Sequence, residues 1–425
     1  MAENRNMSPT RTPRIPKSDG IIWLGVSKMA TRPPRGARLM GYPVERPNTG
    51  IESDLFVRTA VFGAGPGRPG AVLVVIDNLY TPSPLVAEVR RLAARRLPGL
   101  KPGSIMIAAT HTHSAPSLQP YYSANPREGL VRPDPHYRRH IIQTMVASIL
   151  DAWKKRRQVT ARLGAGEAVL GHNRRVLVHG YARNVWQDPH GKHTGYFNPE
   201  IPFVTFHEAE TGKIHAILAG YGCHPVTLGP GNTRVCADYP GYFVQALEKE
   251  TGAAVAIHIM TGAADINPLR CLRERSYHAR VMGKALARAV MSAIGKARPV
   301  ALKAASSRTV PLRFRVRSNV GRWADAQIIG RVSRDFVETS VQTIDLGGLA
   351  LVSAPGELFS KIATRVRKSS PVKNTLVVEH ANDAVGYIFT DEAAFEGGYE
   401  VCRGSISESM ERPYLSAALK SLKRP

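Results

Sequence analysis

His111 and His113 lie in the stretch Thr110-His111-Thr112-His113-Ser114-Ala115-Pro116. Two imidazoles spaced i, i+2 in extended chain point to one side, so both can meet one small object such as a metal ion. Two solvated loop histidines would carry the same spacing, and the pair alone does not decide. They follow the apolar run Ile105-Met106-Ile107-Ala108-Ala109, which Pro102-Gly103 introduces and which reads as a short buried strand. Both therefore sit where the chain leaves the core, and in open α/β sheets ligands bind beyond the carboxyl ends of strands.

Other reactive side chains share that placement. His224 stands just past the apolar run from Ile214 to Tyr221, with Pro225 restricting its backbone. Thr261 opens the turn Thr261-Gly262-Ala263-Ala264-Asp265-Ile266-Asn267-Pro268, after the run from Ala253 to Met260. Small residues there allow close backbone approach, and the N–H groups of such a turn can face an oxyanion. The plainer version is a tight structural turn in which Asp265 binds backbone amides. Glu357 follows the run from Leu346 to Val352, at the head of a helical stretch from Leu358 to Arg367 where a carboxylate is often only a cap. Arg174 and Arg175, after Asn173, could grip an anionic or carbonyl group, or be ordinary surface arginines.

If those strands run parallel, their carboxyl ends share an edge and the groups converge. Two imidazoles and a carboxylate are the ligand set of a hydrolytic zinc site with one position left for water. Zinc moves the pKa of such a water towards neutrality and polarises a bound carbonyl. No H-E-x-x-H signature is present, so the fold, rather than one helix, has to assemble the site.

The elements that would do so alternate along the chain. Ile21 to Val26, Leu55 to Phe62 and Ala71 to Ile76 read as strands, the last a continuous apolar run typical of burial on both faces and ending in the polar pair Asp77-Asn78. Pro84 to Arg96 and about Pro135 to Arg157 have helical periodicity, as do Asp238 to Glu250 and His278 to Lys296. Val300 to Val341 is basic and reads as strands plus a short helix. Thr375 to Glu379 is a last core strand, and Arg412 to Leu422 a closing helix. Strand–helix alternation implies an α/β fold: one large domain with a mixed, mostly buried β-sheet flanked by helices and the metal site at strand carboxyl ends.

With 425 residues, 43% of them hydrophobic, the chain is globular in composition. Its net charge of +25 raises nucleic acid as a partner, but the basic residues are scattered and no nucleic-acid-binding signature is present, which favours a generally basic surface. An anionic substrate or peripheral contact with an anionic membrane also fits the charge. Cys223, Cys236, Cys271 and Cys402 form no C-x-x-C pair. Residues 1–20 read as a flexible basic tail. The absence of a secretory signal and of a membrane-spanning run points to a soluble, cytoplasmic protein.

The order and character of these motifs resemble the neutral (non-lysosomal) ceramidases, over their N-terminal catalytic domain. Thr110 to Pro116 is similar to that family's T-H-T-H-S-G-P, His224-Pro225 to its H-P motif, and Asn173-Arg174 to its N-R segment. Ala263 to Pro268 resembles its G-D-[VI]-[SN]-P turn, Pro355-Gly356-Glu357-Leu358 its P-G-E-F, and Gly386-Tyr387-Ile388 its tyrosine motif. The resemblance covers residues 21–425 as a catalytic domain without the family's C-terminal immunoglobulin-like domain. It implies one zinc ion held by His111, His224, Glu357 and Tyr387, with His113 polarising the carbonyl or moving protons. Thr261 would stand for the family's assisting serine, its extra methyl crowding the site, and Asn173 and Arg174 would bind substrate. The implied activity is that of a zinc-dependent amidohydrolase cleaving an N-acyl substrate, such as a ceramide-like lipid, by attack of zinc-bound water. A related metallohydrolase acting on a non-lipid amide, ester or lactone is the alternative, and a non-catalytic binding protein on the same fold a further one.

Overall fold

The apolar runs are continuous because most of the strands they form have two dry faces. The structure is a computed structural model describing residues 20–123, 127–193, 195–316, 332–333, 335–403 and 410–424. Its longer strands are β1 (Ile22–Thr31), β2 (Leu55–Gly65), β3 (Arg68–Ile76), β4 (Ile105–Ala109), β5 (Arg157–Glu167), β6 (Glu200–Glu208), β7 (Ile214–Tyr221), β8 (Val255–Met260), β9 (Leu302–Arg315), β10 (Phe336–Gly347), β11 (Ala350–Ser353) and β12 (Thr375–Val378). The helices are α1 (Ser83–Arg96), α2 (Pro135–Lys154), α3 (Asp238–Thr251), α4 (Tyr277–Ile294), α5 (Ser360–Ser369), α6 (Asp391–Glu396), α7 (Tyr399–Arg403) and α8 (Glu411–Leu422).

Among the described residues, β1 to β8 form one large sheet in the order β8-β7-β6-β5-β1-β2-β3-β4, and β9 to β12 a smaller one in chain order. Alternate residues of each large-sheet strand go to opposite faces. Leu24, Phe62, Leu73, Met106, Leu218 and Ile257 share an apolar cluster with Ile344, Leu351, Leu376 and Val378 of the smaller sheet. Val72, Val74 and Ile107 instead meet α1 and α2 through Val89, Ile141 and Ile149. At the other end of the sheet, Ile217 and Tyr221 meet α3 and α4 through Phe243 and Leu286. The outer face of the smaller sheet is covered by α5 and α8. Four layers result: helices, large sheet, small sheet, helices. Each such fully buried aliphatic side chain contributes about 1.5–3 kcal/mol.

The expected mixed sheet flanked by helices is present, with the second sheet rather than helices on its inner face. Most pairings are antiparallel. Among the longer strands the parallel exceptions are β3–β4, β7–β8 and β11–β12, and His111, His113, His224, Thr261 and Glu357 lie just past the ends of these three pairs.

Several boundaries differ from the sequence reading. The run from Leu346 to Val352 is not one strand: Gly347 adopts φ +83, the Leu346 N–H bonds the Leu349 carbonyl, and the chain reverses from β10 into β11. Glycine carries the positive φ cheaply, while the buried leucines on either side make the hairpin look like a single apolar run. The helix expected from Leu358 begins at Ser360. Glu357–Leu358 is instead a short strand parallel to Tyr387–Ile388, so Glu357 is not a helix cap. The second helix stops at Lys154, because Arg157 already pairs with β1. The expected basic tail, apart from Gly20, and the short helix expected between 300 and 341 lie outside the described residues. All four cysteines are free. No helix among the described residues is long and apolar enough to cross a membrane.

Candidate metal centre

Three histidines are anchored in the same way. His111 Nδ1 lies 2.9 Å from the Leu79 carbonyl, His113 Nδ1 3.0 Å from the Gly41 carbonyl, and His224 Nδ1 2.6 Å from the Ala263 carbonyl. A carbonyl accepts only, so each Nδ1 carries a proton and Nε2 is the nitrogen left to meet a metal ion. Those nitrogens converge, with the ligand atoms of His111, His113 and His224 within 4.8 Å of one another. His111 Nε2 and His113 Nε2 are 3.3 Å apart. Glu357 Oε2 lies 3.2 Å from His224 Nε2 and 3.7 Å from His111 Nε2.

This arrangement fits a metal ion. Two lone pairs facing each other repel unless a cation stands between them, and a proton is disfavoured there. Burial, above all, lowers His111 to about 4 and holds His113 well below its usual value, with the neighbouring imidazoles adding to the effect on both. Zinc–ligand bonds of about 2.0–2.1 Å in a tetrahedron set neighbouring ligand atoms roughly 3.3–3.4 Å apart, close to the separations seen. A ring N–H held by a backbone carbonyl is also the usual support of a metal-bound histidine.

Local sequence explains each anchor. His111 takes φ +63, a costly conformation for a residue with a Cβ. It is held by Leu79 and by the Thr110 N–H bond to Ile76. Gly41 (φ +108) lies so near His113 that a Cβ would enter the imidazole. Arg46, buried, donates to the carbonyls of Met40 and His113, each at 2.7 Å, and lies 4.7 Å from the Tyr42 ring centre. The loop Met40-Gly41-Tyr42 is therefore clamped onto His113, whose ring lies 5.0 Å from that of Tyr42. Glu357 is oriented by Tyr80, whose hydroxyl donates to Oε1 at 2.9 Å.

Not every expected site residue joins the cluster. Tyr387 pairs with Glu357 across the short parallel bridge, and its hydroxyl accepts from Arg174 at 3.4 Å. Burial, then the Glu357 charge, raises the Tyr387 phenol well above its usual value. Arg174 is buried with Nε 2.7 Å from Glu400 and donates to Asn267. Asn173 is spent on the fold: it donates to Asp265 and the Tyr196 carbonyl and accepts from the Arg175 N–H. The Thr261 methyl packs towards Gly220 on β7, and no hydrogen bond engages its hydroxyl among the described residues. Asp265 does bind a backbone amide, that of Ser360. Two buried residues next to the cluster, Glu379 and His380, are not among the site residues expected from the sequence, where Glu379 only closes a core strand. Their signal was available, since they follow β12 as His111 follows β4. A cavity of about 160 Å³ opens in front of Glu357, lined among others by Tyr42, Tyr80, Tyr121, Tyr122, Tyr387 and Tyr399.

Residues 23–267 match the family described as neutral/alkaline non-lysosomal ceramidase, N-terminal. Among solved structures, neutral ceramidase from Pseudomonas aeruginosa superposes with a TM-score of 0.76 at 18% identity, over 95% of this chain and 74% of that one. A structure described as ceramidase complexed with C2 gives the same TM-score and identity, over 95% and 75%. No curated protein matches the sequence. The family match spans more than half of the chain and includes His111, His113 and His224: this chain belongs to the neutral/alkaline non-lysosomal ceramidase family.

Proposed function

We propose that residues 21–425 form a zinc-dependent amidohydrolase that cleaves an N-acyl substrate to a carboxylic acid and an amine, with a ceramide-like N-acyl lipid as the substrate class that family membership suggests. The observation that carries the metal reading is the set of three imidazoles, each with Nδ1 tied to a backbone carbonyl and Nε2 aimed at one point beside Glu357. His111, His224 and Glu357 would hold the zinc. His113, with Nε2 3.3 Å from His111 Nε2, is one candidate for the fourth contact, and Tyr387 is the choice that the resemblance implies. Bound zinc supplies a Lewis acid for the scissile carbonyl and a water made acidic near neutral pH.

The chain's own residues do the rest. Tyr80 keeps one oxygen of Glu357 satisfied so that the other faces the cluster. Arg174 holds the Tyr387 hydroxyl, and a phenol kept protonated by burial can donate to a developing oxyanion. Thr261 remains the proposed proton acceptor from the resemblance, and reaching the cluster would require its side chain to turn away from Gly220. Four free thiols are in keeping with a reducing compartment, and we assign the activity to the cytoplasm. The surplus of basic residues would support peripheral contact with an anionic membrane.

A second reading has its own support. The cavity in front of Glu357 is about 160 Å³ and lined by phenols, whereas pockets for drug-sized ligands run to ~300–1,000 Å³. That favours a compact non-lipid amide, ester or lactone. Zinc content of the purified chain, of His113→Ala and of Tyr387→Phe tests the metal reading and the fourth contact together. Turnover of N-acyl sphingosine against short N-acyl amines and lactones tests the substrate. A wild-type chain that takes up no zinc would sink the catalytic reading.

A further inference from the structure

We infer that Glu379 and His380, at the carboxyl end of β12, are positioning residues for the metal centre, an inference that rests on the zinc reading above. Glu379 is completely buried. Its Oε2 accepts the backbone N–H groups of Gly262 and Ala263, each at 2.8 Å, and its Oε1 accepts that of Leu358 at 2.8 Å. Ala263 supplies the carbonyl that holds His224 Nδ1, and Leu358 directly follows Glu357. A single carboxylate therefore fastens the peptide that orients His224 and the peptide that carries Glu357. The first turn follows β8 of the large sheet and the second follows β11 of the small one. Glu379 staples the two sheets at the point where their ligands meet, 3.2 Å apart.

His380 acts on the third ligand. Its ring stacks on that of His111 with centroids 3.9 Å apart and planes 11° from parallel. The backbone is held at φ +53 by the Thr81 hydroxyl and the Ala109 N–H, both donating to the His380 carbonyl. Among the described residues both ring nitrogens are buried without a hydrogen-bond partner, and Nε2 stands 3.5 Å from Glu379 Oε1. The ring is thus engaged through its flat face, which leaves His111 little freedom to swing away from the cluster. Outer partners of this kind hold ligands in the geometry the ion demands.

The test is zinc affinity of the full chain, measured by competition with a chromophoric chelator. Glu379→Leu, which removes the acceptor for three N–H groups, is expected to weaken zinc binding by about 10–100-fold. Glu379→Gln keeps an acceptor for two of them and should fall in between. His380→Phe keeps the stack and should bind as the wild type does, whereas His380→Ala should not. A second readout needs no metal: the slowly exchanging Nδ1–H resonance of His224 in the zinc-free chain should shift or vanish in Glu379→Leu and persist in His380→Ala. Zinc affinity of Glu379→Leu within twofold of wild type, or equal losses in His380→Phe and His380→Ala, would overturn the assignment. Should Glu379→Leu fail to fold, Glu379→Gln and the His380 pair decide. A wild type that takes up no zinc defeats the zinc reading, and the resonance still judges whether Glu379 holds His224.

Discussion

The histidine cluster and the network of Arg174, Arg175 and Glu400 are both buried, and Tyr387 links them by pairing with Glu357 and accepting from Arg174, yet their bonding is opposite in kind. In the network every charge faces its counterpart. Glu400 Oε1 and Oε2 each lie 2.7 Å from a guanidinium, and Arg175 also reaches Glu396 at 3.1 Å. In the cluster, the rings are tethered from behind through Nδ1 and their Nε2 atoms face one another and a carboxylate. A closed set of charges needs nothing more, and buried pairs of that kind persist because breaking them is costly. An open set of acceptors is complete only with a cation. The first arrangement holds loops together, and the second is built to receive something.

That contrast predicts which property each cluster loses. His111→Ala should abolish stoichiometric zinc and lower kcat/KM by about a thousandfold, since several kcal/mol of Lewis-acid stabilisation at ~1.4 kcal/mol per decade is at stake. The thermal unfolding midpoint of the zinc-free chain should fall less than in Glu400→Ala, because removing the ring strands a backbone carbonyl rather than two buried guanidinium groups. Glu400→Ala should do the reverse. It leaves two buried guanidinium groups unpaired, at a cost of about 3–5 kcal/mol, with zinc content retained in whatever fraction folds. Metal analysis beside denaturant unfolding checks both. Loss of zinc in Glu400→Ala at full stability would erase the distinction.

Acid should open the two clusters in different windows. Burial lowers His111 to about 4 from an unfolded value near 6.5, so in the zinc-free chain the unfolded state binds the extra proton between those limits. Stability is then complete above about pH 6.5 and falls as pH drops to about 4, by about 3 kcal/mol for this group alone. Glu400 is opposed by burial, but the charges of Arg174 and Arg175 prevail and hold it below its usual 4.5. Its contribution is present above pH 4.5 and is lost only as pH falls through the lowered value. Urea midpoints measured from pH 7 to 3 should decline in two stages, and zinc should suppress the first. A single decline beginning below pH 4.5 would contradict the histidine assignment.

What the sequence makes legible follows the same divide. The strand ends carrying His111, His224 and Glu357 announce themselves because continuous apolar runs stop at reactive side chains, and the parallel pairs β3–β4, β7–β8 and β11–β12 do bring those ends together. Roles within the set are less legible. Whether His113 points at the cluster depends on Gly41, whose carbonyl and missing Cβ act from 72 residues away. Glu379 and His380 obey the strand-end rule as well as His111 does. A glutamate closing an apolar strand nevertheless looks like a solvated terminus until its three backbone donors are seen, two from the turn after β8 and one beside Glu357. The second sheet was hidden too, since the glycine hairpin at Gly347 lies inside what reads as one strand.

The smallest effects should come from the neutral groups that finish each cluster. Tyr80 donates to Glu357 Oε1 at 2.9 Å, and Asn184 donates to Glu400 Oε1 at 2.8 Å. Both are single hydrogen bonds to a carboxylate oxygen, worth about 1.5–3 kcal/mol to the carboxylate they serve. They should be read out differently. Tyr80→Phe frees Glu357 to rotate away from the histidines, so kcat/KM should fall by about tenfold while the unfolding midpoint hardly moves. In Asn184→Ala the two guanidinium groups still hold Glu400, so stability should fall by only about 1 kcal/mol, with kcat/KM unchanged. If Tyr80→Phe costs stability and leaves kcat/KM intact, Glu357 belongs with the closed network and the zinc reading loses its carboxylate.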